Sequence, residues 1–104
     1  MYGKIKFEGE KQRYTVRAFN ERFAIMTKPF NAKRTYLYTI TDLQRSVRGP
    51  CNMIFGLPCD VNTPEGAAEA LALLISGEME VSWRRHRHLE LEPSEIEQLK
   101  ALKS

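Results

Sequence analysis

The chain has 104 residues, 42% of them hydrophobic and 28% charged, a balance that fits one folded domain with a modest core and excludes a disordered chain. No apolar run approaches the ~20 residues of a membrane-spanning helix, and the opening MYGKIKFEGE lacks the apolar stretch of a secretion signal, so a cytoplasmic setting is expected. The net charge of +3 conceals a division: residues 1–48 hold 11 Lys and Arg against 4 Asp and Glu, and residues 49–104 hold 5 against 9.

In chain order, the first half reads as strands. Ile5 and Phe7 alternate with Lys4 and Lys6, and Tyr14, Val16 and Ala18 alternate with Arg13, Thr15 and Arg17. A period of two places apolar side chains on one face and basic ones on the other. Gly9 supplies a connection of hairpin length. RFAIMT (22–27) and TYLYTIT (35–41) continue the meander, separated by the turn KPFNAKR. In TDLQRSVRGP, Thr41 with Gln44 resembles a capping pair, and Leu43 with Val47 has helical spacing. A helical turn ended by Gly49-Pro50 is therefore predicted, followed by a short buried strand at NMIF (52–55).

The segment NTPEGAAEALALLISGEME predicts the main helix. Thr63 is placed as N-cap, Pro64 at the first position, and Glu65 near the positive end of the dipole. Ala67, Leu71, Leu74 and Ile75 form its apolar face, and Gly77 ends it. A strand from Met79 follows. Ser94 and Glu97 then suggest a capping box for a final helix at 92–104, bearing Ile96, Leu99 and Leu102, expected to dock weakly. The order predicts one α+β domain over 1–104. Its bent antiparallel sheet or partial barrel of about five or six strands packs on one main helix, with a short C-terminal helix.

Motifs of catalysis are missing. None of the glycines builds a phosphate-binding loop, no serine sits in G-x-S-x-G, and nothing around Cys51 or Cys59 supports a nucleophile paired with His86 or His88. The acidic residues fall mostly in first turns of helices, where capping accounts for them. A non-enzymatic chain without cofactor is expected. Cys51, Cys59, His86 and His88 offer a Cys₂His₂ count as a metal alternative, but C-x₇-C lacks the tight spacing that pre-forms zinc sites. Both cysteines are expected reduced and partly buried.

The stretch SWRRHRH carries the densest charge. A straight strand would put Arg85 and Arg87 on the face of Met79, Val81 and Trp83, and burying two arginines there is costly without partners. The chain is therefore expected to break register near 84–88 and present Arg84, Arg85 and Arg87 outward. Such an edge suits phosphate contacts, or protection of an exposed strand. In TKPFNAKRTYLYT, Lys28, Lys33 and Arg34 interleave with Phe30, Tyr36 and Tyr38, as on single-strand-binding sheets. Arg13 and Arg17 extend the basic face.

The strings YTITDLQRSVRGPCNMIFG (38–56) and ISGEMEVSWRR (75–85) resemble small phage- and prophage-encoded proteins to which no activity is assigned. The pattern is Tyr-Thr-Ile, Asp-Leu, Val-Arg-Gly-Pro, Asn and Phe-Gly, then Ser-Gly-Glu-Met-Glu-Val-Ser with arginines. It spans about residues 3–91, leaving 92–104 as an appendage, and implies an accessory protein of the bacterial cytoplasm. The expected role is a binding module contacting nucleic acid through Arg13, Arg17, Lys28, Lys33, Arg34, Arg84, Arg85 and Arg87. The alternative is a protein-binding inhibitor of host defence or replication machinery.

Overall fold

The four predicted segments fold as an antiparallel meander: β1 (Lys4–Ile5), β2 (Tyr14–Phe19), β3 (Phe23–Pro29) and β4 (Tyr36–Asp42). The first two are drawn by alternation and the last two by β-favouring residues, with Phe23–Thr27 buried on both faces. The computed structural model describes residues 2–29, 36–49, 60–78 and 89–102. A short β5 (Val47–Arg48) follows β4, then helix α1 (Pro64–Ser76), β6 (Leu89–Glu90) and helix α2 (Pro93–Lys100). The six strands lie in sequence order in one sheet, each pair antiparallel. This sheet is the predicted bent half-barrel, packed on one long helix with a short C-terminal helix.

Each sheet face holds its own core. Ala18, Phe23, Ile25, Tyr38 and Ile40 pack with Val61 and with Ala67, Ala70 and Leu74 of α1. Ile5, Phe7, Tyr14, Val16, Phe19, Ala24 and Met26 pack with Leu91 and with Leu99 of α2. Strict alternation would keep Ala18 beside Tyr14 and Val16. Instead the ladder between β2 and β3 slips between Val16 and Ala18, so Arg17 is the extra residue of a bulge and every later β2 side chain changes face. The simple division into an apolar and a basic face therefore holds for the β1–β2 turn end, and not for the part of β2 beneath α1.

Helix α1 starts and stops where its sequence directs. Thr63 Oγ1 accepts from the Gly66 N–H at 3.0 Å, Pro64 occupies the first turn, and Gly77 ends the helix at φ 81°. Its buried face is Gly66, Ala67, Ala70 and Leu74, whereas Ile75 is 60% exposed. Gly66 lies against the Asp60 carbonyl with no room for a Cβ; of the predicted apolar face, Ala67 and Leu74 are buried and Leu71 packs against the core, and Ile75 alone turns outward.

Two local expectations are corrected. No helical turn follows Thr41: β4 runs to Asp42 and turns directly into β5. Asp42 Oδ1 accepts from the N–H groups of Gln44 at 2.9 Å and Arg45 at 3.3 Å, an Asx-type turn completed by Ser46 at φ 56°. Helix α2 is capped at Glu92, not Ser94, with Pro93 in its first turn. Glu95 Oε1 accepts from the Glu92 N–H at 2.7 Å, and Ser94 Oγ donates to Glu8 Oε1 at 3.0 Å.

Nor is α2 weakly docked. Glu95 Oε2 accepts from the Glu8 N–H at 2.9 Å. Gln98 accepts from the Lys6 N–H and donates to the Lys6 carbonyl, both at 2.9 Å, so its amide pairs with the outer edge of the β1 segment as a neighbouring strand would. Leu99 beneath it is fully buried. The predicted strands at 52–55 and from Met79 to His88 lie outside the described residues.

Candidate functional site

Basic side chains of the first half divide into two populations. The first is committed to carboxylates. Glu10, in the β1–β2 connection, receives Lys28 Nζ on Oε1 at 2.7 Å, Arg48 Nη1 on Oε2 at 2.9 Å and Tyr14 Oη on Oε1 at 3.2 Å. The Lys28 ammonium sits 5.1 Å from the Tyr14 ring centre and the Arg48 guanidinium 4.2 Å from that of Phe7. Burial pushes the Glu10 carboxyl upward, but the Lys28 hydrogen bond and charge, reinforced by Arg48, outweigh it and leave the pKa below its ordinary value.

The second carboxylate centre is Asp42, whose side chain is 1% exposed. Arg22 meets it with two parallel bonds at 3.1 Å and stacks on Phe23 at 4.5 Å, while Arg45 Nε lies 3.8 Å from Oδ2. Four cations of β3, β5 and the two adjacent turns are therefore paired.

The second population is Lys4, Lys6, Lys11, Arg13 and Arg17, all on β1, β2 and their connection. Among the described residues none of these five is in an ion pair. Lys4, Lys6, Lys11 and Arg13 are exposed, and Arg17, half-buried, donates from Nε to Thr27 Oγ1 at 2.9 Å. A groove of about 560 Å³ between this connection and α2 is lined by Lys6, Glu8, Lys11, Ser94 and Gln98. A second, of about 290 Å³, runs between β2 and α1 past Tyr2, Arg17, Leu71 and Ile75. Helix α1 turns Glu65 and Glu69 to solvent, so the molecule carries opposite charge on the hairpin and the helix.

Of the residues singled out from sequence, Arg13 is exposed in the β1–β2 connection, Arg17 lines the groove between β2 and α1, and Lys28 is turned to Glu10. Lys33, Arg34, Arg84, Arg85, Arg87, Cys51, Cys59, His86 and His88 lie outside the described residues. Tyr38, one of the interleaved aromatics, is buried under α1, and burial raises its pKa. Sequence reasoning read Lys4 and Lys6 only as sheet-face charges, passed over Lys11, and missed Glu10 and Arg48, which no spacing rule connects. Among the described residues no group of three or more His, Cys, Asp or Glu is placed to hold a metal, and no helix is long and apolar enough to cross a membrane. Comparison with protein-family models, curated proteins and solved structures returns no match.

Proposed function

We propose that the chain is a phage or prophage accessory protein of the bacterial cytoplasm, a non-enzymatic binding module that contacts nucleic acid through its basic β1–β2 hairpin. The observation that carries this reading is the concentration of five cations without an ion-pair partner among the described residues between Lys4 and Arg17. Paired arginines gain little from a phosphate because they must first leave a carboxylate, whereas exposed unpaired ones exchange only counterions. Lys33, Arg34, Arg84, Arg85 and Arg87 join this reading by composition.

The test is binding of DNA and RNA oligonucleotides across a salt series. Affinity should fall steeply with salt, and the double variant Lys11→Ala/Arg13→Ala should flatten the log–log slope by about 1.5. Absence of binding at low salt, or an unchanged slope in the variant, would refute the hairpin as the contact surface.

A second reading is an inhibitor of host defence or replication machinery. It is favoured by Ile75, 60% exposed beside the groove at Leu71 and Tyr2, since an apolar groove next to Arg17 suits a protein partner. A complex from host lysate that survives nuclease and high salt, and is lost with Ile75→Glu, would support it over nucleic-acid binding.

A further inference from the structure

We infer that Lys28 and Arg48 form an oxyanion-binding site that the Glu10 carboxylate occupies as an internal ligand, and that a phosphate group can take its place. The inference does not depend on the hairpin binding nucleic acid.

The two carboxylate centres among the described residues are built differently. At Asp42 the anion is the buried member, 1% exposed, and its arginines reach it from solvent with 45% and 62% exposure. That is a turn stapled by charge. At Glu10 all three members are enclosed: the Arg48 side chain is 7% exposed and those of Lys28 and Glu10 15% each. Here the cations project from strands β5 and β3, while the carboxylate comes from a connection between strands. A fixed pair of cations met by a carboxylate on a loop is the arrangement of a site and its occupant.

Charge and coordination agree. Two cations face one carboxylate, so a unit of positive charge is left in a sparsely solvated place, where a dianionic group is better matched than Glu10. Donors of Lys28, Arg48 and Tyr14 converge on the two Glu10 oxygens at 2.7, 2.9 and 3.2 Å, the multidentate contact that phosphate oxygens accept. The rings of Tyr14 and Phe7 hold both cations in position without neutralising them. Thr41, in cross-strand register with Arg48, carries a buried hydroxyl that has no hydrogen-bond partner among the described residues. Glu10 follows Gly9, which adopts φ 82° with open space where a Cβ would sit, and the Glu10 carboxylate can leave by side-chain rotation while the Glu8 N–H stays tied to Glu95.

The test compares the full chain with Glu10→Gln and with Glu10→Gln/Arg48→Met. Inorganic phosphate is the probe, at constant ionic strength, read by backbone NMR shifts in β3 and β5. A site closed nine-tenths of the time by its own carboxylate loses about tenfold in apparent affinity. Glu10→Gln should therefore bind phosphate about tenfold more tightly than the parent, and the added Arg48→Met should abolish the gain. Equal affinity in parent and Glu10→Gln, or binding that survives Arg48→Met, overturns the proposal. Should Glu10→Gln fail to fold, Glu10→Asp keeps the charge but shortens its reach and must still raise phosphate affinity; no gain there is equally fatal. Adding Lys11→Ala/Arg13→Ala to Glu10→Gln separates this site from the hairpin. Unchanged phosphate affinity supports it, and a loss as large as that from Arg48→Met assigns the signal to diffuse surface charge. Displacement of phosphate by a short oligonucleotide identifies a backbone phosphate as the source, and persistence identifies a small phosphate ligand.

Discussion

Replacing Glu95 by Ala tests whether α2 is a structural closure of the sheet. The Glu95 carboxylate is 2% exposed and ties two separate segments: Oε1 holds the Glu92 N–H at 2.7 Å and Oε2 the Glu8 N–H at 2.9 Å. A hydrogen bond to an ionised acceptor contributes about 1.5–3 kcal/mol. Glu8 and Glu92 are both exposed, so water can reach the freed amides, and the lower end applies to each. The expected loss is about 3 kcal/mol, a large share of the roughly 5–15 kcal/mol that holds a domain of this size. At about 4–8 °C per kcal/mol the melting midpoint should fall by about 12–24 °C. Urea denaturation followed by circular dichroism gives the free energy, and amide exchange gives the location. The Glu8 amide should lose protection first, and Glu95→Gln, which keeps one acceptor oxygen, should lose about half as much stability. A loss below about 0.5 kcal/mol, or unchanged exchange at Glu8, would refute the closure and restore a weakly docked appendage.

Other expectations follow from single contacts. Thr63→Ala removes the cap on Gly66 N–H and should cost about 1 kcal/mol in denaturation. Gly66→Ala would ordinarily stabilise a helix by about 1 kcal/mol, but its Cβ would run into the Asp60 carbonyl; a lowered melting midpoint is expected, and a raised one would disprove the close packing. The Glu10 pKa is lowered on folding from its ordinary 4.5. Its contribution is therefore complete above about pH 4.5 and is lost as pH falls through the folded value. Acid titration should show this component in the parent chain and not in Glu10→Gln.

Legibility differed with the range of the interaction. The first two strands were readable because alternation is local, the next two because β-branched and aromatic residues cluster in them, and α1 because Thr63, Pro64 and Gly77 each act within one turn. The bulge at Arg17 was hidden, since no Gly or Pro marks it and the residues on either side are ordinary strand formers. The Thr41–Gln44 spacing misled because it fits either a helix cap or a turn closed by the neighbouring Asp42 carboxylate; only the pairing of Asp42 with Arg22, from the loop before β3, favours the turn. Ser94 is the better cap by type, yet Pro93 takes the first helical position and sets the start of α2 two residues earlier, with Glu92 as cap. The Glu10–Arg48 contact joins residues 38 positions apart, beyond any periodicity argument.

Charge composition likewise foretold a basic half without saying where its charge is available. Two of the four acidic residues in 1–48, Glu10 and Asp42, absorb Lys28, Arg48, Arg22 and Arg45. Among the described residues, pairing thereby concentrates the available charge of the first half on the hairpin. The two populations should respond differently to salt. Exposed hairpin cations are screened beyond a Debye length, which shrinks to ~3 Å at 1 M, so hairpin-mediated oligonucleotide binding should vanish in strong salt. The enclosed Lys28–Arg48 pair is screened far less, and phosphate binding to Glu10→Gln should weaken much less over the same range. Parallel loss of both along one salt curve would mean that a single diffuse field governs both, and would contradict the division drawn from the ion pairs.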